Sequence, residues 1–100
     1  MKTIYFRTRG GGRQGWGNIY RLVSIYKLLC KKFNCLFIFE GNKIVKNFLK
    51  KEQINYYQLN ENISLEDEKK IINKLQPTFL TIIEMLDCNL NRQKIYKNIS

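Results

Sequence analysis

The stretch KTIYFRT at residues 2–8, the glycine-rich run RGGGRQGWG at residues 9–17 and NIYRLVSIYKLLCKKF at residues 18–33 decide how the chain is read. In the first, Ile4 and Phe6 alternate with β-forming residues, the period of a strand. The run from Arg9 to Gly17 is too glycine-rich for either regular structure and reads as a loop. From Asn18 onward, Ile19, Leu22, Val23, Tyr26, Leu29, Cys30 and Phe33 recur at spacings of three and four, which is one face of a helix. Asn18 itself belongs to the best N-capping residue types. A strand, a glycine turn and a helix in this order aim unpaired helix N–H groups, with their partial positive charge, at the space above the strand. An anionic ligand is the natural occupant.

Working outward, Cys35 to Phe39 is an unbroken apolar run, as expected of a strand buried on both faces of a parallel sheet. Glu40-Gly41-Asn42 ends it, and Ile44, Val45, Phe48 and Leu49 restore helical spacing. Ile54 to Leu59 reads as a short third strand. Ser64 opens another helix, with Asp67 in a capping-box variant; Ile71, Ile72 and Leu75 face inward, and Pro77 stops it. Thr78 to Leu86 is a fourth strand and Leu90 to Ile99 a last helix. The fold class is therefore α/β: a Rossmann-like parallel sheet of about four strands with alternating helices. Residues 1–100 are read as a single domain without linker or internal repeat. Ligands of such sheets bind beyond the carboxyl ends of the strands. Thr8 to Gly17, Glu40-Gly41-Asn42, Gln58 to Asn60 and Glu84 to Asp87 collect there.

Composition narrows the classes. At 44% hydrophobic and 13% aromatic residues, the chain is globular and not a disordered one. It contains no histidine, and Cys30, Cys35 and Cys88 form no Cys-x-x-Cys pair, so neither a zinc site nor a disulfide framework is expected, and no cofactor is assigned. No stretch reads as a secretion signal or is long enough to cross a bilayer, so the expected location is the cytoplasm. The formal charge is +10, and its distribution is uneven. No acidic residue precedes Glu40, while Lys2, Arg7, Arg9, Arg13, Arg21, Lys27, Lys31 and Lys32 do. Arg7, Arg9 and Arg13 flank the glycines, a field suited to phosphate or carboxylate. Nucleic acid is the weaker reading, because the aromatics follow core periodicity and form no stacking platform.

Gly10, Gly12 and Gly15 spell the dinucleotide fingerprint, and Glu40 ends the second strand where a ribose-binding acid would sit. The fit is partial. Thr8 and Arg9 intervene between strand and first glycine, and Gly17 prolongs the loop. A dinucleotide-binding domain stays as an alternative.

A closer likeness lies in Phe6-Arg7, the glycines, then Gly15-x-Gly17-Asn18-x-x-Arg21 leading into a leucine-rich helix. This resembles the N-terminal end of the UDP-sugar hydrolase of pseudaminic acid biosynthesis. It resembles equally the related spore-coat polysaccharide proteins of the GT-B glycosyltransferase type. The likeness continues through Leu36 to Gly41 and into Ile82-Ile83-Glu84, and it covers the N-terminal portion of a GT-B N-domain. It implies a UDP-sugar hydrolase or glycosyltransferase-like protein of surface polysaccharide or nonulosonic acid biosynthesis. Arg7, Arg13, Gly15, Trp16, Gly17, Arg21 and Glu84 would then contact the substrate, a UDP-sugar or related sugar-diphosphate. GT-B proteins hold the nucleotide mainly in a C-terminal domain that this sequence lacks, so a separately encoded half or a homo-oligomeric copy is the expected partner. Asn18 falls where the family has its histidine, the implied catalytic base, and an amide has no pKa for proton transfer near neutrality. The family's acid after Arg7 is replaced as well. Glu84, Asp87 and Glu40 are the substitute bases to consider. The alternative from another class is a non-catalytic nucleotide- or sugar-binding module. Plainer roles stand beside these: Asn18 as N-cap, Arg21 as a loop brace, Trp16 as a plug over the sheet edge, Glu84 in a cap or salt bridge.

Overall fold

The computed structural model of the chain describes residues 2–10, 16–75, 78, 80–84 and 90–97. Strands and helices alternate: β1 (Thr3–Arg9), α1 (Gly17–Leu29), β2 (Asn34–Glu40), α2 (Lys43–Lys51), β3 (Tyr56–Leu59), α3 (Leu65–Lys74), β4 (Leu80–Glu84) and α4 (Leu90–Lys97). The strands form one sheet in the order β3-β2-β1-β4, and every pairing is parallel. This is the Rossmann-like α/β arrangement that the sequence pattern implies.

Alternation along the two central strands divides the core. Ile4 and Phe6 of β1 with Cys35, Phe37 and Phe39 of β2 meet Ile19, Leu22, Val23 and Tyr26 of α1 and Val45 and Leu49 of α2. The intervening residues Tyr5 and Ile38 face the other way, toward Ile72 of α3 and Ile95 and Tyr96 of α4. Phe6, Phe37, Phe39, Leu22 and Ile38 are wholly buried, each contributing about 1.5–3 kcal/mol by leaving water. A sheet covered on both faces explains why β2 is an unbroken apolar run.

Several boundaries differ from expectation. The N-cap of α1 is Trp16, which makes no side-chain capping bond. Asn18 lies inside the first turn instead, because its amide oxygen takes a charged donor, Nη2 of Arg21 at 2.6 Å, in place of the neutral backbone N–H groups. The helix ends at Leu29 and not at Phe33, since the chain must turn there to start β2, whose Asn34 N–H donates to Lys2 O at 2.9 Å. The third strand is shorter than Ile54–Leu59, beginning at Tyr56. For α3, Ser64 caps as expected, accepting from the Asp67 N–H. The fourth strand is described over Leu80–Glu84. The expected stop at Pro77 and the continuation to Leu86 fall outside the described residues. Among the described residues, no helix is long and apolar enough to cross a membrane.

Candidate functional site

The chain runs outward from β1 to β2 to β3, then returns to place β4 on the other side of β1. That reversal makes the carboxyl ends of β1 and β4 the topological switch point, the place where open α/β sheets leave a crevice for ligands. Thr8 at the top of β1 is fully buried and its Oγ1 donates to Glu84 O at 2.7 Å, pinning the two strand ends together.

Three expected site residues meet on one flank. Arg21, in the second turn of α1, donates from Nε and Nη2 to Oε1 of Glu84 at 3.1 and 2.8 Å. The same Nη2 also donates to Asn18 Oδ1. Arg21 is 61% and Glu84 36% exposed, so this pair faces solvent and contributes little to stability, whereas the Asn18 side chain is buried. Gly17 starts the helix, and a Cβ there would lie 3.4 Å from Arg21 Nη1, an ordinary contact. Its value to the site is therefore backbone access more than space.

Trp16 packs on Tyr20 with ring centroids 5.7 Å apart and meets Phe48 edge-on at 5.5 Å. It belongs to the α1–α2 contact. Arg13 and Gly15 lie outside the described residues, as does Asp87.

Arg7 is placed differently from the field-supplying role expected of it. It is fully buried on the α3–α4 face. Its Nε and Nη2 fork onto Glu68 at 3.0 and 3.1 Å, and Nη2 also reaches Glu40 Oε1 at 3.0 Å. Nε further meets the Tyr96 hydroxyl at 2.9 Å, and Nη1 donates to Thr8 O. The Tyr96 hydroxyl and Arg92 both donate to Glu68 as well. Burial opposes the charge on Arg7, but the Glu68 hydrogen bond and the surrounding oxygens overcome it and hold the guanidinium charged. Burial likewise opposes ionisation of Glu68, and the hydrogen bond and charge of Arg7 outweigh it, leaving the carboxyl below its usual range. The Tyr96 hydroxyl is pushed up, first by burial.

Sequence reasoning missed this cluster. The signal was in the alternation: a strand covered on both faces that shows Ile4 and Phe6 to one side must bury Arg7 on the other, where it needs acidic partners.

Glu40 is also not placed as a ribose-binding acid. Its Oε1 takes Arg7 and Arg9, the latter at 3.0 Å, and its Oε2 accepts from the Asn62 N–H at 2.7 Å. Among the described residues no cluster of three His, Cys, Asp or Glu side chains offers a metal site. No family model, curated protein or solved structure matches the chain.

Proposed function

We propose that the chain binds a sugar-diphosphate ligand, a UDP-sugar or a close relative, in the crevice between the carboxyl ends of β1 and β4. In this reading it is a UDP-sugar hydrolase or glycosyltransferase-like module of surface glycan synthesis. The observation that carries the proposal is the start of α1. Asn42 caps α2 by accepting from Ile44 and Val45 N–H, and Ser64 caps α3, whereas the cap residue of α1 makes no such bond. Among the described residues, no side chain caps the helix that opens on the switch point, and its first turn holds no acidic residue to compete for its donors. A phosphate satisfies those donors and the helix dipole together.

The non-catalytic form of this reading is favoured by Asn18. Its amide oxygen is engaged by Arg21, so the side chain at the family's base position neither titrates nor points a free acceptor at a water. Titration with UDP, UDP-sugars, NAD and single-stranded RNA ranks the readings, and UDP-sugars are expected to bind most tightly. Asn18→His restores a titratable group and is expected to raise UDP-sugar hydrolysis above the wild-type level. Unchanged hydrolysis counts against aligning Asn18 with the base.

A further inference from the structure

The guanidinium groups near the carboxyl edge differ in what holds them. Arg7 is sealed against Glu68 and Glu40, Arg92 donates to Glu68 and to Ile63 O, and Arg21 is tied to Glu84 and Asn18. Arg9 stands apart. Its Nη2 meets Glu40 Oε1 at 3.0 Å, the same oxygen that takes Arg7 Nη2. Its Nε is shut off from solvent and has no acceptor among the described residues.

Exposure points the same way. Arg7 and Arg9 share Oε1 of Glu40, and Arg7 and Arg92 share Glu68. Arg9 is 18% exposed against 0% for Arg7 and 12% for Arg92, so of the three it lies nearest to solvent. A shielded guanidinium N–H without an acceptor is costly in a folded chain, and such groups concentrate where a site is built for something other than stability.

The scaffold around Arg9 is firm. The Asn62 N–H fixes the second oxygen of Glu40, and the Gly10 N–H donates to Glu40 O at 3.2 Å. A Cβ on Gly41 would sit 3.0 Å from Gly10 O, so a side chain there would push the ends of β1 and β2 apart by a few tenths of an ångström. Glu40 and Gly41 together hold Arg9 and Gly10 at the point where β1 leads into the glycine run.

We propose that Arg9 is the residue that pairs with the ligand's phosphate charge, and that Glu40 is the positioning residue that presents it. This rests on the sugar-diphosphate reading of the crevice and replaces Arg7 by Arg9 as its cation. A guanidinium held by one nitrogen keeps further donors in a planar fork that matches phosphate oxygens.

The test is a titration of the full chain with inorganic pyrophosphate and with UDP, followed by NMR. It reads the Arg9 Nε–H resonance, assigned through bonds from its own backbone, beside the Gly17 and Asn18 amides. All three are expected to shift along one saturation curve. Arg9→Lys, which keeps the charge and loses the fork, is expected to bind about tenfold more weakly. Glu40→Gln is expected to weaken binding per folded molecule as well, whereas a purely structural role would lower only the melting temperature. If Gly17 and Asn18 shift while the Arg9 Nε–H stays still and Arg9→Lys binds like wild type, the assignment of Arg9 is overturned and the crevice reading stands. If no resonance shifts with either compound, both fall.

Discussion

Glu68 is one carboxylate serving Arg7, Arg92 and Tyr96 at once, with its side chain fully buried. Removing one partner of such a group leaves the others desolvated and unpaired, so Glu68→Gln and Arg7→Met are each expected to cost about 3–5 kcal/mol. Urea denaturation checks this as a fall in midpoint at unchanged slope. The same carboxyl carries a pH dependence. Its folded pKa is lowered, so its contribution is complete above the unfolded value of about 4.3 and is lost as pH falls through the folded value. The stability gap between wild type and Glu68→Gln is therefore expected to narrow steadily on acidification below that point. A gap independent of pH would contradict the pairing. Cysteine reactivity follows burial in the same way. Burial, with Cys30 nearby, pushes the Cys35 thiol up to about 11, while Cys30 is exposed. A thiol-specific reagent at neutral pH is expected to modify Cys30 and spare Cys35 until the protein unfolds. At this scale the sequence was only partly readable. Arg21, Asn18 and Glu84 were named and do meet, but Arg7 was expected at the ligand, because the alternation that buries its face does not name the distant Glu68 and Tyr96 that pair with it.

Helix ends are where local chemistry shows most clearly. The end of α2 is a Schellman turn: Ile54 N–H reaches Leu49 O at 3.0 Å and Gln53 N–H reaches Lys50 O at 3.1 Å. Gln53 occupies the left-handed position, φ 59°, which a side chain tolerates at a cost of about 1–2 kcal/mol. Gln53→Gly is expected to raise stability by about 0.5 kcal/mol, the relief being partly offset by a more flexible unfolded chain. At the other end of the same helix, Asn42 accepts from both Ile44 and Val45 N–H, so Asn42→Ala is expected to cost about 1 kcal/mol. Thermal melts of the two variants should move in opposite directions. Element types and order were readable from periodicity and from Ser64, because burial on one or both faces imposes the period directly. The cap of α1 was not, because Asn18 had a competing partner three residues on in Arg21 that cap preference alone does not weigh.

For the molecule as a whole, the strand order matters more than any single contact. With β4 set beside β1, Thr8, the start of α1 and Glu84 come together at one edge of the sheet, which no local pattern specifies. The order also leaves β3 and β4 at the sheet edges, with Leu80 on β4 and Leu28 on α1 exposed to 45% and 74%. Leu28→Lys is expected to change stability by less than about 0.5 kcal/mol, since the side chain buries little to lose. The claim on which the functional reading stands is that the crevice takes a sugar diphosphate. Calorimetric titration of the intact chain with UDP-sugars, set against single-stranded RNA over a range of salt, tests it most directly. Saturable binding of the UDP compounds is expected, abolished in Arg9→Met and weakened in Arg21→Met. Steeply salt-dependent RNA binding with no response to any UDP compound would contradict it.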